Sequence, residues 1–136
     1  MQQQADRERN EATLRRFVEG IGAADFETLA AVCSEDFIAE LPYSDPPQRL
    51  EGFRAYREAV EPSLAIFRFR LELQALHPGL DPDLIVAEYT SEGIAVPTGK
   101  PYRNVYIGVF RFREGRLAGL REFFNPVLAT RSLSAS

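Results

Sequence analysis

The stretch that most constrains the fold is Pro101 to Leu128, PYRNVYIGVFRFREGRLAGLREFFNPVL. β-Branched and aromatic residues fill both of its arms, and Arg113-Glu114-Gly115-Arg116 separates them. Two long strands joined by a tight turn are expected, with Gly115 supplying the positive φ the turn needs. Strand alternation in the second arm puts Leu117, Gly119, Arg121 and Phe123 on one face. It puts Ala118, Leu120, Glu122 and Phe124 on the other, so Glu122 shares an apolar face. An acid placed there must be neutralised, partnered or functional.

The remaining elements follow in chain order. Leu14, Phe17, Val18 and Ile21 make one apolar stripe on a helix over residues 3–23. Asp25 reads as the N-cap of a short helix from Phe26 to Cys33. Phe37 to Tyr43 alternates as a short strand, and Ser44 to Gly52 (SDPPQRLEG) has the composition of a loop. A third helix is expected from Phe53 to Phe67, kinked or split at Pro62. Strands from Arg68 to Leu76 and from Leu84 to Ile94 then precede the hairpin. The tail from Ala129 to Ser136 is polar and expected to fray. Segregated helices and antiparallel strands mean α+β, in one domain spanning residues 1–136. A strongly curved sheet wrapped by the helices makes a cone open at one end.

Composition excludes some functions. The net charge is −4, and the basic residues, all Arg except Lys100, are scattered, which argues against nucleic acid. Cys33 is the only cysteine, so no internal disulfide forms, and a buried core thiol in a reducing cytoplasm is expected. One His and one Cys cannot supply the usual zinc or iron ligands, so no metal is expected. MQQQADRERNEA lacks the apolar region of a signal peptide, and no apolar run reaches membrane-spanning length.

The element order resembles the nuclear-transport-factor-2-like superfamily. The residues that carry it are Ala23-Ala24-Asp25-Phe26, the strand Phe37 to Pro42, Glu51-Gly52, and the closing FxFxxGR and REFFNP pattern. Pro101-Tyr102-Arg103-Asn104 and Arg121 to Pro126 are most similar to the SnoaL-like group and the A/B-type proteins of phenazine biosynthesis. The resemblance implies a cone of three N-terminal helices on a curved mixed or antiparallel sheet. It also implies a cofactor-free pocket for small apolar or aromatic molecules, in a dimer. The best-known activity of the fold, ketosteroid isomerisation, uses a Tyr and two Asp. Here those positions align with Phe17, Leu41 and Gly108, so that chemistry is not expected. The Asp/Arg/Asp arrangement of limonene-epoxide hydrolases is not evident either.

Glu122 is therefore the catalytic candidate. An acid among apolar groups has a raised pKa and suits proton transfer near neutral pH. The alternative is a structural ion pair with Arg54 or Arg57. Tyr43, Tyr89, Tyr102 and Tyr106 are substrate-binding candidates, because a phenol joins an apolar body to a polar tip. The alternative for each is core or interface filling. Asn104 joins the binding set as a polar residue in mid-strand, and Phe17, Leu41, Leu120 and Phe124 complete it as apolar walls. Gly108 leaves room on its face, or marks a bulge. His77 lies in a turn and is expected at the surface, with Glu40 and Glu88 on the outer face. Val105, Ile107 and Val109 make that outer face apolar, which calls for a homodimer through it.

The leading functional expectation is an isomerase, cyclase or dehydratase acting by proton transfer. The rivals are a non-catalytic ligand-binding module and an interaction dimer with a vestigial pocket.

Overall fold

The computed structural model describes residues 1–135. The chain runs α1 (Gln2–Ala23), α2 (Phe26–Val32), β1 (Cys33–Leu41), β2 (Gln48–Glu51), α3 (Phe53–Ile66), β3 (Phe67–Pro78), β4 (Leu84–Ala95), β5 (Lys100–Arg113), β6 (Arg116–Phe124) and α4 (Pro126–Leu133). The six strands form one curved mixed sheet in the order β2-β1-β6-β5-β4-β3. Among the described residues the β1–β6 pair is parallel and the other four pairs are antiparallel.

The expected hairpin is β5–β6. Arg113 pairs with Arg116, and the turn residues Glu114 and Gly115 have φ of 52° and 80°. Glycine takes that geometry without the Cβ strain an L-residue incurs. Asp25 caps α2 as expected, its carboxylate accepting from the Thr28 N–H at 3.1 Å.

One core lies between the concave sheet face and the helices. Phe17, Leu14, Leu29, Phe37, Ile85, Phe110 and Leu117 are its largest fully buried side chains. α1 packs on β3 and β6, and ties down both distal turns. Asn10 Nδ2 donates to Pro82 O at 2.9 Å, and Thr13 Oγ1 donates to Gly115 O at 2.8 Å.

Four expectations are corrected. Gln48–Glu51, expected as loop, is an edge strand paired antiparallel with β1. The tail, expected to fray from Ala129, begins as α4, with Asn125 Oδ1 accepting from Val127 N at 3.0 Å and Pro126 in the first turn. α3 continues through Pro62 without a split. The bulge feared at Gly108 falls instead at Ala118, between the Phe112–Leu117 and Arg111–Gly119 pairs. That bulge turns Leu117 onto the same face as Leu120, and both are buried.

Candidate active site

The site is a wall of β4, β5 and β6 facing the concave interior. On β4, Ile85, Ala87, Tyr89 and Ser91 point inward and are buried. On β5 the inward set is Tyr102, Asn104, Tyr106, Gly108 and Phe110. Tyr89 pairs with Tyr106 across the sheet, and their rings stack at 5.2 Å with 9° between planes.

Gly108 lies between Ala87 and Glu122 in register. With no side chain there, the Tyr89 hydroxyl crosses β5 and donates to Glu122 Oε2. A Cβ at 108 would stand 2.9 Å from the Tyr89 oxygen and 2.5 Å from Phe110 Cε1, so only glycine leaves this passage free. Burial raises the Glu122 pKa above the ordinary carboxyl value, and the Tyr89 hydrogen bond offsets part of that rise. Burial, then the Glu122 charge, pushes the Tyr89 phenol well up, so Tyr89 remains a donor.

The arginines proposed as partners for Glu122 are engaged elsewhere. Arg54 pairs with Glu58 at 3.3 Å and Arg57 with Glu61 at 3.2 Å, and Arg57 also lies over the Phe26 ring. Arg121 points outward over Phe123. Among the described residues Glu122 forms no salt bridge, so the ion-pair alternative is replaced by a phenol–carboxyl pair.

A second polar chain runs along the same wall. The Tyr102 and Tyr106 hydroxyls are 2.9 Å apart, and Tyr106 donates to Ser91 Oγ at 3.0 Å. Asn104 Nδ2 donates to Tyr102 Oη at 2.9 Å and Asn125 O at 3.0 Å. Its Oδ1 accepts from Val105 N at 2.8 Å and Asn125 N at 3.1 Å. These four bonds use the full capacity of a primary amide. Asn104 thus clamps the β6–α4 junction, with no bond to spare for a substrate.

Sequence comparison is decisive at this point. The SnoaL-like domain pattern matches residues 14–120. The chain belongs to the SnoaL-like family. It is 27% identical over 127 residues to the uncharacterized protein YesE of Bacillus subtilis, covering 91% of this chain and 86% of that one. An uncharacterized PhzA/B-like protein of Pseudomonas aeruginosa is 30% identical over 96 residues, covering 66% and 65% of the two chains. Among solved structures, a Bacillus subtilis protein named "Putative Isomerase" superposes with a TM-score of 0.87 at 25% identity, over 96% of each chain. A phenazine biosynthesis-related protein of P. aeruginosa superposes at 0.78 with 20% identity, over 99% and 91%.

This SnoaL-like domain fills the steroid-isomerase positions with other things. Phe17 is core, its ring centroid 6.0 to 6.2 Å from those of Phe37, Tyr56 and Phe110. Leu41 is half-buried at the end of β1. Position 108 holds only the passage that the Tyr89 hydroxyl uses. Leu120 is buried and Phe124 half-buried against the core, both inward as expected.

Tyr43 does not join them. It is 55% exposed, and its ring packs at 5.3 Å on Phe123, an outer-face residue. The strand ends at Leu41, so alternation no longer dictates where Tyr43 points. His77 is exposed and its Nε2 lies 2.7 Å from Glu88, which faces outward as expected. Glu40 is likewise outward, 3.6 Å from Arg49. Cys33 is a core thiol, its pKa pushed up to about 12 by burial.

Sequence reasoning missed Tyr56 as a site residue. It is the one buried residue of α3, and burial followed by the nearby Glu122 charge pushes its phenol pKa well up. The signal was a tyrosine at helical spacing with Phe53, Val60, Leu64 and Phe67. Those four are half-buried, as is Glu122. α3 packs against β1, β2 and β3.

Among the described residues no three His, Cys, Asp or Glu side chains group as metal ligands, and no helix is long and apolar enough to cross a membrane.

Proposed function

We propose that this SnoaL-like protein is a proton-transfer enzyme of the isomerase, cyclase or dehydratase type. Its substrate is a small apolar or aromatic molecule, and it needs no cofactor. One observation carries the proposal: the Glu122 carboxyl on the inner wall is held by a phenol and, among the described residues, pairs with no arginine.

In this scheme the Glu122 carboxylate removes a proton from carbon next to a conjugated carbonyl. The C–H electron pair moves onto the carbonyl oxygen as an enolate. Glu122, now the acid, returns the proton to another carbon, and nothing is oxidised or reduced. Tyr89 fixes the carboxyl's orientation, and Tyr102 and Tyr106 offer polar tips beside the substrate. The usual steroid-isomerase residues play no part.

The test is turnover across a panel of conjugated ketones and aromatic acids, repeated with Glu122→Gln. Turnover that collapses while binding survives supports the enzyme. Equal turnover in both forms sinks it. The rival binding module draws on a specific fact: among the described residues, the buried polar and charged set includes no carboxyl and no histidine to work beside Glu122. That reading expects binding without turnover in both forms.

The outer sheet face enters as a homodimer proposal. Val105 and Ile107 are 57% and 45% exposed there and line an open groove of about 670 Å³ with Tyr43 and Phe123, a groove that also reaches Tyr89, Tyr106 and Phe124 of the inner wall.

A further inference from the structure

We infer that the crevice between the α1–α2 turn and the end of α3 is a ligand subsite for a flat apolar ring system. Its volume is about 450 Å³, within the ordinary range for small-molecule sites. Phe26, Phe67 and Phe69 give it three aromatic walls, and Gly22, Leu64 and Ala65 complete the rim. Two charged residues border it. Glu61 is paired with Arg57, and Arg68 belongs to the outward set of β3. Between these two charged borders the lining is aromatic and aliphatic, which selects a ligand held by ring packing and excluded water.

The location gives the crevice its role. The Phe67 and Phe69 rings that line it also lie 4.5 and 5.9 Å from the Tyr102 ring. The Tyr102 hydroxyl begins the polar chain through Tyr106 to Ser91. One aromatic layer thus separates the crevice from the inner wall. Its α3 side follows Pro62, which has no N–H for the helix ladder, so this wall yields more easily than a regular turn. A fused-ring ligand seated here rests its outer ring on Phe26 and points its inner end toward Tyr102. The subsite rests on the proposed function only for what happens at that inner end. Binding itself does not depend on Glu122.

The probe is 2-naphthol, titrated into the full chain and followed by amide proton–nitrogen correlation spectra. Saturable shifts are expected at Gly22, Ala24, Phe67 and Phe69. Leu64→Asp, which puts a charge on the apolar rim, is expected to weaken binding by about tenfold or more with the folded spectrum retained. Glu122→Gln is expected to bind the probe unchanged, which separates an occupied crevice from the proton-transfer scheme. Should Leu64→Asp not fold, Ala65→Trp reports directly, since the chain has no other tryptophan. Saturable quenching of its indole by 2-naphthol is then expected. Absence of saturable shifts or quenching overturns the subsite. So do shifts confined to Val105, Ile107 and Phe123 on the outer face.

Discussion

Tyr89 on β4 reaches Glu122 on β6 by passing over Gly108 on β5. One strand separates the partners, and the missing side chain on it makes the contact possible. The position that is blank by comparison with steroid isomerases is therefore the one that lets this pair form.

Gly108→Ala is expected to break the pair sterically. Its Cβ meets Phe110 Cε1 at 2.5 Å and the Tyr89 oxygen at 2.9 Å, so at least one ring must move. Overpacking of this kind costs about 1–3 kcal/mol, measurable by denaturant unfolding. Tyr89→Phe is the control without strain. It removes the hydrogen bond that favours the carboxylate, so the Glu122 titration midpoint, read by side-chain carboxyl NMR, moves upward. An unchanged midpoint contradicts the pairing.

Asn104→Ala is expected to act on stability rather than on ligand affinity. It removes the side-chain partner of both backbone groups of Asn125 and one of the two partners of the Tyr102 hydroxyl, at a cost of about 2–3 kcal/mol. Amide exchange in the first turn of α4 should accelerate. A loss of ligand affinity with unchanged stability restores the substrate-orienting role that the sequence suggested.

Much of this wall was legible in the sequence. Alternation along β4 and β5 placed Tyr89, Tyr102 and Tyr106 inward, and alternation along β6 did the same for Glu122, because a side-chain period of two leaves little freedom where one face is buried. What escaped depends on contacts distant in sequence. Asn104 is saturated by Asn125, 21 residues away, which no spacing rule foretells. β2 is four mostly exposed residues beside two prolines, an edge strand that pairs with β1 and packs against α3. Tyr56 looked like one more apolar stripe residue, since its neighbourhood to Glu122 arises only when α3 folds over the sheet. The Ala118 bulge rescued Leu117 for the core without disturbing Glu122, because the register is regular again from Gly119 onward.

The pH dependence of stability carries a sign. The folded Glu122 pKa is raised above its ordinary value of 4.5, chiefly by burial. Below that value both folded and unfolded states hold the proton, and burial costs little. As pH rises through the folded midpoint the buried group ionises, and stability is lost. Asp25 and Asp36, whose pKa values are lowered by Thr28 and Arg113, work in the opposite direction. The difference between wild type and Glu122→Gln cancels them. The variant's advantage in Tm is expected to grow with pH above about 4.5. A constant difference from pH 4 to 8 contradicts the burial account.

The outer face gives a prediction about assembly. Ile107→Asp puts a charge at the centre of the exposed Val105–Ile107 patch, away from the interior wall. Sedimentation is expected to change from dimer to monomer, with thermal stability of the fold within about 1 kcal/mol of wild type. A wild-type protein that sediments as a monomer removes the proposal.

The central claim is that Glu122 moves protons. Its most direct measurement is deuterium uptake at the carbon beside the carbonyl of conjugated ketones in D₂O, followed by proton NMR with wild type and Glu122→Gln. Wild type is expected to accelerate uptake for at least one ketone of the panel, with the variant slower by about 10²-fold or more while still binding that ketone. Equal uptake rates in the two proteins, or no acceleration by wild type for any ketone it binds, contradict the claim.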